Sequence, residues 1–242
     1  MRHLEFAHPA GRARLERVPT GWSVDLDLHP DADAVELLEA AIAEVAGLGG
    51  GTVRLWARAG DPTTEAAGRA LGLVHERDLH QLRRPLPVAE RAELEVRPFV
   101  VGQDEAAWLA VNNRAFDWHP EQGGWTLEDL EARMEEPWFD PTGFLLHERD
   151  GDLVGFCWTK EHRDVDPALG EIYVIAVDPA AGARGLGRPL TLAGLDHLHR
   201  QGIEVGMLYV DGGNASGLHL YETLGFEVHH TDTSHTIEVP AS

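Results

Sequence analysis

One segment constrains this chain more than any other: Val177-Asp178-Pro179-Ala180-Ala181-Gly182-Ala183-Arg184-Gly185-Leu186-Gly187. It closes Glu171–Val177, a run apolar on both alternating faces, which predicts a strand buried on both sides. It opens a helix from about Leu186 to Gln201, with Leu190, Ala193, Leu195 and Leu198 as its apolar positions. Where a buried strand passes through a glycine turn into a helix, successive backbone N–H groups point outward and the helix dipole adds positive charge. Gly185 and Gly187 allow close backbone approach to a ligand, and Arg184 can add a charge. The pattern suits a pyrophosphate; taken alone, a glycine turn can equally be a plain helix start.

The flanking pattern predicts an α+β domain. Glu95–Val101 reads as a strand, Asp104–Phe116 as a helix with Asp104 as N-cap, and Leu127–Glu136 as a helix stopped by Pro137. Gly143–Arg149 and Leu153–Lys160 flank Asp150-Gly151-Asp152, a hairpin signal. Strand Gly206–Val210, helix Ala215–Leu224 closed by Gly225, and strands Phe226–His230 and Thr233–Val239 follow. Upstream, Arg83-Arg84-Pro85-Leu86-Pro87 and the polar run to Glu95 read as a joint. The expected division is a short repeat at 1–87, a linker at 88–95 and a complete domain at 96–242.

An internal repeat supports that division. Val53–Ala57 aligns with Gly206–Val210, and Ala70-Leu71-Gly72-Leu73 with Thr223-Leu224-Gly225-Phe226. The helix Val35–Val45, with Asp33 and Glu36 as an expected capping box, aligns with the helix that opens at Arg188.

Composition excludes some partners. A chain that is 43% apolar and 25% charged can bury a core, so disorder is not expected. With 41 acidic against 20 basic residues the net charge is -21, which argues against nucleic acid and anionic membranes. A solvated acidic surface is the simple reading, and attraction of a cationic substrate the sharper one. Cys157 is the only cysteine, so no disulfide forms within the chain and a reducing cytoplasm is expected. No apolar run approaches the ~20 residues of a membrane helix, and no signal-peptide pattern is present. The histidines show no ligand spacing, so no metal is expected. Lys160 is the only lysine.

Asn214-Ala215-Ser216-Gly217-Leu218-His219-Leu220-Tyr221-Glu222-Thr223-Leu224-Gly225-Phe226 follows the glycine turn by one strand. The two segments together resemble the GCN5-related N-acetyltransferases. That resemblance implies acetyl-CoA as co-substrate. Its pyrophosphate would lie on Gly182, Ala183, Arg184, Gly185, Leu186, Gly187 and Arg188. Its pantetheine arm would meet Asn214, and Ile175, Ala176, Val177, Ala215, Ser216, Gly217, Leu218 and His219 would be further cofactor contacts. Tyr221 would protonate the departing thiolate.

Five further segments narrow the likeness: Asn113–Phe116, His119–Trp125, Trp138–Pro141, Gly155–Lys160 and Gly170–Val174. With them, nearly all of 98–239 resembles the mycothiol synthase family. Its members carry two tandem acetyltransferase repeats, of which the C-terminal one acetylates the cysteinyl amine of a cysteine–glucosamine–inositol pseudodisaccharide. The resemblance implies Glu171 as general base, with Glu121, Lys160, Glu171 and Tyr209 contacting the substrate. An ammonium must lose a proton before it attacks a thioester, and a carboxylate can take it. Holding amine and thioester in line supplies much of the rate, and an N–H near Ile175 could polarise the acetyl carbonyl. The plain readings are a solvent-facing strand end for Glu171, an edge charge for Lys160 and a small buried apolar residue for Cys157.

The likeness has two departures. Gly182 stands where the family carries Gln or Arg, which implies weaker cofactor affinity. The first repeat reads Pro30-Asp31-Ala32-Asp33, two aspartates that would repel a pyrophosphate, and has Trp22 and Gly68 at the positions of Glu171 and Tyr221. Set against the family, it is also expected to lack about half a repeat at its start. An inactive copy is expected, bracing the C-terminal domain or completed by a dimer partner; monomer and homodimer both stay open. Two other functions also stay open: acetylation of another small polar amine, or a non-catalytic CoA-binding module.

Overall fold

The protein's structure, a computed structural model, describes residues 3–18, 20–118, 122–182 and 185–242. In chain order the elements are β1 (His3–His8), β2 (Gly11–Val18), β3 (Gly21–Leu28), α1 (Ala34–Gly47), β4 (Gly51–Ala57), α2 (Pro62–Ala70) and β5 (Val74–Pro85). There follow β6 (Arg97–Pro98), α3 (Glu105–Ala115), α4 (Leu127–Met134), β7 (Phe144–Arg149), β8 (Asp152–His162), β9 (Leu169–Val177), α5 (Gly187–Arg200), β10 (Val205–Asp211), α6 (Ala215–Thr223) and β11 (Glu227–Val239). Two compact units emerge: Met1–Gln81 with Val210–Ala215 and Val228–Ser242, and Leu82–Tyr209 with Ser216–Glu227.

In the first unit the strands run in the order β1-β2-β3-β4-β11-β5. β1, β2 and β3 form an antiparallel meander, whereas β3 and β4 are parallel. The sequence reading places no strands before α1, yet β2 alternates as Arg12-Ala13-Arg14-Leu15-Glu16, with Ala13 and Leu15 fully buried. They join Leu37, Leu38 and Ala41 of α1 and Val53 and Leu55 of β4 in one core. Asp33 caps α1 by accepting from Val35 N at 2.8 Å, two residues on, in place of the expected box with Glu36.

The second unit runs β10-β9-β8-β7-β6. Period-two alternation along β8 sends Phe156 and Trp158 into an aromatic cluster with Trp108 of α3 and Phe144 of β7, and Cys157 to the opposite face against α5. A Cβ on Gly194 of α5 would lie 2.5 Å from Cys157 Sγ and 2.7 Å from Ile172 Cδ1, so only glycine lets the helix approach this closely. That close docking fixes where α5 begins.

Several boundaries differ from expectation. The strand expected at Glu95–Val101 shrinks to Arg97–Pro98 because Asp104 takes the N–H of Val100 and two bonds from Arg97. α4 stops at Met134, short of the expected Glu136, after a Thr126/Asp129 capping box opens it. Arg83–Pro85, expected in the joint, lie in β5; the guanidinium of Arg84 donates to Leu224 O and sits 6.0 Å from the Phe226 ring centre. The two expected final strands are one, β11. Asp232 makes no turn there, because Arg58 and the N–H of Ala59 satisfy its buried carboxylate.

Candidate active site

β9 and β10 pair in parallel only at Leu169–Glu171 with Val205–Met207, although β9 runs on to Val177 and β10 to Asp211. Past Glu171 the strands part, so the edge of β9 that faces β10 is open along Ile175–Val177 to a ligand laid alongside, while its other edge stays paired with β8. A register shift on the other side of β9 pairs Trp158 with Val174 and Thr159 with Ile172, so Tyr173 is bulged out. A bulge of this kind re-aims side chains on a strand otherwise locked by its ladder.

Just before the bulge stands Glu171, 7% exposed. Lys160 is its partner directly across the ladder. The ammonium of Lys160 turns onto the rings of Trp138 and Tyr173. His162, opposite Leu169, reaches diagonally so that its Nε2 lies 2.7 Å from Glu171 Oε2. Two of the expected site residues, Lys160 and Glu171, are therefore brought together, with a histidine and two aromatics that the sequence reading gave no role. The signal was there as Lys-x-His on one strand, since residues two apart share a face. What it lacked was the register that sets His162 against Glu171.

The glycine turn has the predicted frame. Asp178 Oδ1 accepts from Ala180 N at 2.9 Å, and Arg114 clasps the same carboxylate with two bonds of 3.1 Å and 2.6 Å. Gly182 is left-handed, with φ 58°, a conformation that favours glycine at the position where the family carries Gln or Arg. Leu186 is the N-cap of α5, and its apolar side chain makes no capping hydrogen bond. The guanidinium of Arg188 is engaged by Glu90 and by Thr223 Oγ1. Ala183, Arg184 and Glu121 lie outside the described residues.

Asn214 precedes α6, its N–H bonded to Asp211 O, and Ala215, Ser216, Gly217, Leu218 and His219 open that helix. Asn214, Ala215, Ser216 and His219 are exposed, and Tyr209 on β10 is 41% exposed. Tyr221 is buried edge-on to Phe226, and burial, with a smaller effect from Cys157, pushes its phenol up to about 12. Cys157 is wholly buried and its thiol is likewise pushed up to about 12, so it behaves as the small apolar residue expected.

Residues 110–226 match the acetyltransferase (GNAT) family. A mycothiol acetyltransferase of Thermobispora bispora is 48% identical over 227 residues, which cover 90% of this chain and 76% of the relative. Another, from Thermomonospora curvata, is 45% identical over 245 residues, 98% of this chain and 82% of the relative. The chain belongs to the GNAT acetyltransferase family, among its mycothiol acetyltransferases. It is an N-acetyltransferase with the α+β fold of that family. A GCN5-related N-acetyltransferase from Sphaerobacter thermophilus shares the fold with a TM-score of 0.74 at 23% identity, over 96% of this chain and 78% of its own. A tandem GNAT protein from the clavulanic acid pathway does so at 0.65 and 17%, over 98% and 86%.

GNAT acetyltransferases use acetyl-CoA, and the second unit fits it: parted strands, an uncapped helix start and an open left-handed glycine. The first unit of this GNAT chain repeats the strand device. β3 and β4 pair only at Trp22–Val24 with Val53–Leu55 and then separate. The hollow of about 480 Å³ beside them is lined by Asp27, Asp31 and Asp61 with His29 and Thr63. Three carboxylates oppose a pyrophosphate there. Among the described residues no group of His, Cys, Asp and Glu could hold a metal, and no helix is long and apolar enough to cross a membrane.

Proposed function

We propose that the chain transfers the acetyl group of acetyl-CoA to the cysteinyl amine of a cysteine–glucosamine–inositol mycothiol precursor. The observation that carries this reading is Glu171, an almost buried carboxylate beside Lys160 at the point where β9 and β10 part. The resemblance to the mycothiol synthase family supports giving both a part in the reaction.

Acetyl-CoA supplies an activated thioester. The chain's part is to hold the amine in line with it and to take a proton from the ammonium, which Glu171 does. Lys160, Tyr209 and Glu121 contact the substrate. Ile175–Val177, the turn from Gly182 to Arg188 and the segment Asn214–His219 hold the cofactor. Tyr221, whose phenol stays protonated, donates to the leaving sulfur. The first repeat, 1–87, is an inactive copy followed by the linker 88–95, and catalysis belongs to 96–242. Its acidic hollow supports that assignment. A net charge of -21 supports a small-molecule substrate in preference to nucleic acid or anionic membrane, and a lone buried thiol suits the cytoplasm. A monomer or a homodimer would serve equally.

The test is CoA release from acetyl-CoA and the cysteinyl pseudodisaccharide by wild type and Glu171→Gln. Turnover that collapses in the variant is expected. Acetyl-CoA binding without turnover of this precursor would sink the substrate assignment and redirect the search to other small amines.

A further inference from the structure

We propose that His162 is the positioning residue for Glu171, holding one carboxylate oxygen so that the other faces the amine. The inference rests on the reading of Glu171 as the base and goes beyond it. A carboxylate buried this far needs a hydrogen-bond partner, and the structure supplies His162, whose Nε2 stands 2.7 Å from Oε2. Lys160, the residue directly across the ladder, does not serve: its ammonium lies 4.5 Å from the centre of the Trp138 ring and 5.6 Å from that of Tyr173. Tyr173, thrown out of the ladder by the bulge, helps draw the lysine away.

The geometry decides which atom does what. With Nε2 carrying its hydrogen, the imidazole donates to Oε2 and fixes the rotamer of Glu171. Oε1 keeps its lone pairs and is the oxygen that accepts the proton from the substrate ammonium. The side chain of His162 is 26% exposed against 10% for that of Glu171, so the ring stands toward solvent and the carboxylate toward the interior. Lys160 on β8 and Tyr173 on β9 share this face, and Arg133 of α4 and Glu136 just beyond it act on Tyr173.

The test compares His162→Ala, His162→Gln, Glu171→Gln and the double variant His162→Ala/Glu171→Gln in steady state. It uses whichever amine the wild type acetylates, the cysteinyl precursor first. Removal of the donor should lower kcat roughly tenfold or more, on the scale of a disturbed general base, and leave KM for acetyl-CoA unchanged. His162→Gln, whose amide N–H can replace Nε2–H, should restore most of the loss. In the Glu171→Gln background His162→Ala should cost nothing further, because residues that act as one unit are not additive. Full activity in His162→Ala beside an inactive Glu171→Gln would overturn the role of His162 and leave the base in place. Full activity in Glu171→Gln would overturn the base itself. Equal loss in His162→Ala and His162→Gln, with both still folded, would show that the donor is not what matters and would also overturn the proposal.

Discussion

The ammonium of Lys160 stands 4.5 Å from the ring centre of Trp138, on the same sheet face as Glu171. The only lysine of the chain is thus aimed by an aromatic surface instead of a carboxylate. Lys160→Met is expected to raise KM for the amine about tenfold, the scale of one cation–π or charged contact, with acetyl-CoA unaffected. Trp138→Leu should do the same more weakly. An amine KM unmoved by Lys160→Met would remove Lys160 from the substrate contacts.

Tyr221→Phe should lower kcat by about a hundredfold if its hydroxyl serves the leaving sulfur. Because burial pushes the phenol up to about 12, the wild type should show no loss of rate from its ionisation through the mildly alkaline range. A pH–rate profile on both proteins checks the two statements together. A basic limb present in wild type and absent in the variant would contradict the buried, protonated phenol.

Asp104 accepts from Arg97 Nη1 at 2.7 Å, from Arg97 Nη2 at 2.8 Å and from Val100 N at 2.7 Å. The Arg97 bonds hold its carboxyl below the ordinary range, against the opposing effect of burial, and the Val100 bond adds to them. A depressed native pKa contributes stability that is complete above the unfolded value of about 3.9 and fades as pH falls through the native one. Asp104→Asn should therefore cost about 1–3 kcal/mol in urea denaturation at pH 7, and much less in strong acid.

Gly194→Ala should destabilise the protein by about 1–3 kcal/mol, since the new methyl would meet Cys157 Sγ and Ile172 Cδ1 inside normal contact distance. Cys157→Ala in the same chain should recover part of that loss. Additive urea midpoints would mean that α5 shifts instead of pressing on Cys157.

The elements that announced themselves are those whose signals are local. Asp150 and Gly151 both have positive φ, as their dipeptide requires at the β7–β8 hairpin. β9 and α5 lie where the apolar spacing puts them. β11 did not announce itself, because Asp232 looks like a turn residue until Arg58 and Ala59, distant in sequence, are seen to satisfy it. The site divides in the same way. The roles proposed for Glu171, Lys160 and Tyr221 come from resemblance, whereas the contact of His162 with Glu171 depends on a diagonal across a ladder whose register is shifted at Tyr173, and no local pattern encodes that shift.

β11 lies between β4 and β5 in the first unit, pairing Val239 with Gly51 and Thr233 with Ala57. A sheet whose other strands all lie before Leu86 is thus closed by a strand that begins only at Glu227. During synthesis β4 and β5 wait with exposed edges, the slow, aggregation-prone circumstance of long-range strand pairing. A chain deprived of β11 would leave the first unit's sheet unfinished while the strands around Glu171, β10-β9-β8-β7-β6, were all present.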